Sequence, residues 1–101
     1  MFSHVMLGTN NLSAAIEFYD NVMPTLGYSR QETGETYAGY GQESDIGTGV
    51  NCLWIGKPLN NEPATAGNGV NVALLATTRN QVDEFYTAAL ASGASDEGAP
   101  G

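Results

Sequence analysis

Ser3-His4-Val5-Met6-Leu7-Gly8-Thr9-Asn10, followed by Ala15-Ile16-Glu17-Phe18-Tyr19-Asp20, decides how this chain folds. The first stretch alternates, with Val5 and Leu7 on one face and His4 and Met6 on the other, which predicts a strand. Asn10 or Asn11 then caps a helix. Leu12, Ile16, Tyr19, Met23 and Leu26 recur at spacings of four and three, one apolar stripe of that helix. Pro24 predicts a kink or a fresh last turn, and Gly27 a stop.

The same order returns further along. At an offset of 67 residues Val5 meets Val72, Leu7 meets Leu74, and Glu17-Phe18-Tyr19 meets Glu84-Phe85-Tyr86. Between the two units lie three strand candidates. Tyr28 to Glu32 and Glu35 to Gln42 flank a Thr33-Gly34 turn, and Val50 to Gly56 is the most hydrophobic. Lys57 to Asn68 reads as a linker. Val70 to Ala76 is a fifth strand candidate, and Asn80 caps a second helix with Val82, Phe85, Tyr86, Ala89 and Leu90 buried and Gly93 at its end. The expected fold is α+β within one domain. Residues 1–68 form a complete β-α-β-β-β module with its linker, and 69–101 a truncated β-α copy.

Composition narrows the function. Hydrophobic residues make up 42% of the 101 residues, enough for a core. Eleven acids against three bases (Arg30, Lys57, Arg79) give a net charge of −8. Nucleic acid and anionic membranes are excluded as partners, because phosphate binding needs clustered Lys and Arg. No apolar run reaches the about 18 residues of a membrane span, and no secretory signal precedes the first strand. The cytoplasm is the expected compartment. Cys52 is the only cysteine, so neither an intrachain disulfide nor a thiolate cluster is available.

Paired β-α-β-β-β modules with these motifs resemble the vicinal oxygen chelate superfamily of glyoxalase I, extradiol dioxygenases, fosfomycin-modifying transferases and bleomycin resistance proteins. Leu26-Gly27-Tyr28, Gly69-Val70-Asn71-Val72-Ala73, Val82-Asp83-Glu84-Phe85-Tyr86 and Gly98-Ala99-Pro100-Gly101 carry the resemblance along with the opening stretch. It implies a mixed sheet curved around a cavity, which Tyr37, Tyr40, Trp54 and Asn71 would line. It also implies a metal ligand at His4, the only histidine. At the matching position of the second unit stands Asn71, a weak donor to a transition metal. Glu32, Glu35, Gln42 and Glu43 could add an oxygen, and nothing in their spacing selects one. With so incomplete a ligand set, no cofactor is expected, although a divalent metal stays open.

Three readings follow. One is a metal-free protein that binds a small, partly apolar ligand; another is a metal-dependent lyase or isomerase of the glyoxalase class. The third is a degenerate chain without activity. A fifth strand with an uncovered apolar edge predicts a symmetric homodimer.

Overall fold

The computed structural model describes residues 2–100. Its sheet has four strands: β1 (Val5–Gly8), β2 (Tyr28–Thr33), β3 (Tyr37–Gln42) and β4 (Leu53–Gly56). They are ordered β1-β4-β3-β2, and β1 runs parallel to β4 while the other pairs are antiparallel. Helix α1 (Leu12–Val22) crosses over between β1 and β2, and α2 (Arg79–Ala91) follows the sheet. The curved sheet with helices on one face is the α+β arrangement that the sequence predicts.

Local chemistry explains the boundaries. The Asn11 side chain accepts the Ala14 N–H at 3.1 Å and starts α1. Pro24 occupies the first turn of a short 3₁₀ helix, Met23–Leu26, so the chain tightens where the α-helix cannot continue. Gly27 ends it with a φ of 88°, a conformation glycine adopts without steric cost. The β2–β3 turn is longer than Thr33-Gly34 suggests. Strand β3 begins at Tyr37, and the Gly34 N–H donates to the Tyr37 carbonyl. Register slips between Arg30 and Glu32, leaving Gln31 as a bulge residue.

Val22, Met23, Ala38, Tyr40, Leu53, Ile55 and Ala89 form the buried core between the sheet and the helices. Alternation in β3 and β4 sends Ala38, Tyr40, Leu53 and Ile55 to this face. Tyr40, fully buried, donates its hydroxyl to Asp20 Oδ1 at 2.8 Å and also reaches the Ile16 carbonyl at 3.3 Å. Asp20 in turn accepts from Arg30 Nε at 3.1 Å.

Three expectations fail in the second unit, one of them the burial of Val82, which is exposed. Val70 to Ala76 carries no strand, because it lies outside every ladder of the sheet. Val70, Val72, Leu74 and Leu75 are exposed. Helix α2 forms, yet its cap is Thr78, whose side chain accepts the Gln81 N–H at 3.1 Å, and Asn80 lies one residue inside. The Asn80 side chain reaches forward to Glu84 instead.

Burial, together with the Asp20 hydrogen bond, raises the Tyr40 phenol well above the ordinary tyrosine range. The folded state therefore holds this proton more tightly than the unfolded chain does. The stability gained is intact below the unfolded tyrosine pKa and is lost as pH rises toward the folded one. Tyr40→Phe removes the hydroxyl but keeps the ring and should cost about 1–2 kcal/mol; Tyr40→Ala should cost about 3–5 kcal/mol. Urea denaturation of both variants checks the order, and the Phe variant should show a weaker loss of stability at alkaline pH than the parent.

Candidate functional site

The sheet face away from the helices is built from the alternate residues of the same strands. Tyr37 of β3 and Trp54 of β4 stand there side by side, ring centroids 5.9 Å apart and tilted by 58°. Met6 of β1 joins them, half-exposed. Its Cε would stand 2.9 Å from a β-carbon built on Gly56, and Tyr37 Cβ 3.2 Å from the same point. These side chains form an apolar platform open to solvent on one side.

Glycine lets the indole lie close on the strand. A β-carbon on Gly39 would lie 2.7 Å from Trp54 Cζ3, 2.9 Å from Cε3 and 3.0 Å from Asn51 Cγ. The indole thus rests directly on the β3 backbone, with the Asn51 amide beside it. Asn51 is the buried polar residue next to the platform, only 4% exposed. Sequence alternation alone does not find it, since residues three apart in a regular strand face opposite ways. The chain breaks that alternation at Cys52, just before β4 begins, so Asn51 and Trp54 share a face.

Of the predicted cavity residues, the structure brings Tyr37 and Trp54 together. Tyr40 is corrected: it points into the helix-facing core, because a residue three positions from Tyr37 must lie on the other side of the strand. Asn71 lies exposed in the irregular 70–76 segment, outside the sheet. His4 is exposed just ahead of β1, with Ser3 Oγ 2.9 Å from its Nδ1. Glu32, Glu35, Gln42 and Glu43 are all exposed. Among the described residues no three His, Cys, Asp or Glu side chains gather. A chelated divalent metal needs three or four such donors, more than the described residues bring together at any one place.

Cys52 packs half-buried against the core, and its thiol lies 3.6 Å from the Tyr40 carbonyl. Burial raises its pKa, with the Asp45 charge adding to the effect. It is a poor nucleophile at neutral pH. Two clefts of about 510 and 580 Å³ open around Lys57, Pro58 and Glu62, and the larger meets the platform at Met6. Neither reaches His4, Tyr37 or Trp54. No helix among the described residues is long and apolar enough to cross a membrane.

The model of the Glyoxalase/Bleomycin resistance protein/Dioxygenase superfamily matches residues 1–101. The chain belongs to this superfamily. It is similar to a glyoxalase/bleomycin resistance protein from Albidiferax ferrireducens T118 of known crystal structure, at 34% identity and a TM-score of 0.79. The match covers 92% of this chain and 70% of that one. No curated protein matches. Membership accounts for the strand order, whereas the chemistry of a superfamily member depends on the residues at its own site.

Two outcomes follow from this geometry. Gly39→Ala should lift the indole off the strand, shifting Trp54 emission to the red and destabilising the fold by about 1–3 kcal/mol. Cys52 should react with a disulfide reagent more slowly than a free cysteine at neutral pH, its rate still climbing above the ordinary thiol pKa of about 8.5. A rate that levels off below that pH would contradict a raised pKa.

Proposed function

We propose that the chain is a small-molecule-binding protein that holds a partly apolar, planar ligand against the Tyr37–Trp54 platform without a metal. The observation that carries this reading is the aromatic pair itself, with Trp54 resting on Gly39 and Tyr37 beside it, partly open to solvent. Aromatic walls with a few polar groups beside them are what small-molecule sites are made of. His4, exposed and hydrogen-bonded to the adjacent Ser3 hydroxyl, has no second ligand gathered beside it among the described residues, which is why the metal-free reading is preferred. Such a ligand would be bound or sequestered rather than turned over.

The partner in this reading is a second copy of the chain. Val5 donates its N–H to the Cys52 carbonyl just ahead of β4, and Thr9 donates to the Gly56 carbonyl, at 2.9 Å each, so the backbone groups of Met6 and Gly8 point to the outer edge of β1. An apolar edge with unpaired donors and acceptors favours strand addition. Val72 and Leu74 line a groove of about 250 Å³ with Leu26 and Phe85, and would lose exposed apolar surface on the same side. A twofold-symmetric homodimer would bury both features.

Trp54 is the single tryptophan, so its fluorescence reports the platform directly. Titration with planar aromatic ligands and thiol conjugates should change its emission saturably, and Trp54→Phe should abolish the signal along with retention of the ligand in equilibrium dialysis. Turnover of a glyoxal hemithioacetal, with loss of activity in His4→Ala, would favour the enzyme instead. Sedimentation velocity over a micromolar dilution series should show a dimer; a well-folded monomer throughout would remove the second copy from the proposal.

A further inference from the structure

The larger cleft begins where the platform stops. Met6 belongs to both, and Gly8, two residues on along β1, turns to the same face. A β-carbon on Gly8 would stand 3.2 Å from Ala64 Cβ and 3.4 Å from Pro58 Cγ, so the segment after β4 crosses the sheet there at close range. One side chain ties that segment down. Asn10 donates from its Nδ2 to the Ala64 carbonyl at 3.0 Å and accepts the Ala64 N–H on its Oδ1 at 2.7 Å. Within the segment the Asn61 N–H donates to the Pro58 carbonyl, and Asn60 Oδ1 accepts the Glu62 N–H, at 3.0 Å each. Asn61 closes this turn at a φ of 61°, the one positive value outside glycine among the described residues. Strained backbone of this kind collects at ligand clamps and active sites. Glu62 is thereby held in a fixed wall of the cleft.

Charge decides what the cleft takes. Its charged liners are Lys57 and Glu62, one of each sign. Arg30 and Arg79 are paired with Asp20 and Asp83. Among the described residues Lys57 is the one base with no carboxylate at ion-pair distance, so Glu62 does not close on it. In a chain of net charge −8, a bare anion is repelled at long range, and a bare cation makes no use of Lys57. A ligand group that carries both charges meets neither objection. We infer that the platform and this cleft form one site for an aromatic amino acid, its ring on Tyr37, Trp54 and Met6, its carboxylate at Lys57 and its ammonium at Glu62. The inference rests on the platform being where the ring lies, and it adds the polar half of the ligand. The span agrees with this. Lys57 lies three residues beyond Trp54, about 10 Å at the rise of a strand, a distance that a small molecule and a lysine side chain cover together. At about 580 Å³ the cleft is of the size that small-molecule sites have.

Four probes that differ only in charge test it: phenylalanine, N-acetylphenylalanine, phenylalanine amide and the neutral 3-phenylpropanamide. Trp54 emission, excited at the red edge of the indole band where the probes are transparent, reads their binding. Phenylalanine should bind tightest, and each missing charge should weaken binding about threefold to fivefold, the effect of an exposed ion pair. Lys57→Gln should remove the advantage of phenylalanine over its amide, and Glu62→Gln its advantage over the N-acetyl derivative. Both positions are exposed, so neither substitution touches the core. Equal affinity for the neutral probe and phenylalanine overturns the inference and leaves the platform reading standing, whereas saturable binding of none of the four removes both. Tightest binding of a singly charged probe overturns it as well, since the cleft then selects one sign alone. A preference for phenylalanine that survives both substitutions overturns it too, because the two charges would then be recognised elsewhere.

Discussion

The hydrogen bond from the Tyr40 hydroxyl to Asp20 joins the middle of the sheet to the last turns of α1, and the rest of the fold is arranged around it. The ring fills the space between β3 and α1, touching Tyr19 with centroids 6.1 Å apart. Asp20 is held from the other side by Arg30 of β2, which also donates to Thr33. One carboxylate therefore fixes the position of α1 relative to two strands. The ion pair itself is half-exposed and contributes little. Burial of the Tyr40 ring with Val22, Met23 and Ile55 supplies most of the energy, and the hydrogen bonds select the geometry.

This core on one face dictates the character of the other. With the large residues of β3 committed to the helices, the alternate positions carry Tyr37, Gly39 and Gly41. Two glycines in the middle of a strand are unfavourable for its stability. They are tolerated because neighbouring side chains lie across them: Trp54 over Gly39, and Asn51 with Gln31 over Gly41. The same two absences of a side chain let the Trp54 indole lie on the β3 backbone and bring the Asn51 and Gln31 amides close to it. One side of β3 is thus filled from the helices and the other from its neighbours in the sheet.

Much of this was legible in the sequence wherever periodicity and burial agree. β1 and α1 were, because the two-residue and four/three-residue repeats each met a partner. Tyr40 was misplaced for a reason the strand period itself exposes: Tyr37 and Tyr40 cannot share a face of one regular strand. Val70 to Ala76 has the composition of a strand, yet a strand exists only through its ladder, and composition says nothing of whether a neighbour is present. Asn51 and Gln31 escaped because each sits at an irregularity, one beside the break at Cys52 and the other at a bulge. Neither departure has a signal in residue type.

The two edges of the sheet are unlike, and the difference follows from sequence. Strand β2 ends the sheet with Ser29, Arg30, Glu32 and Thr33, charged and hydroxylated, and carries the bulge at Gln31. Charges and bulges are what keep an edge from pairing with a foreign strand. Strand β1 ends the other side with Val5-Met6-Leu7-Gly8, uncharged and without irregularity. The neighbouring 70–76 segment is equally apolar and offers no ladder of its own to cover that edge. Among the described residues the features that discourage strand addition thus sit on the β2 edge and not on the β1 edge.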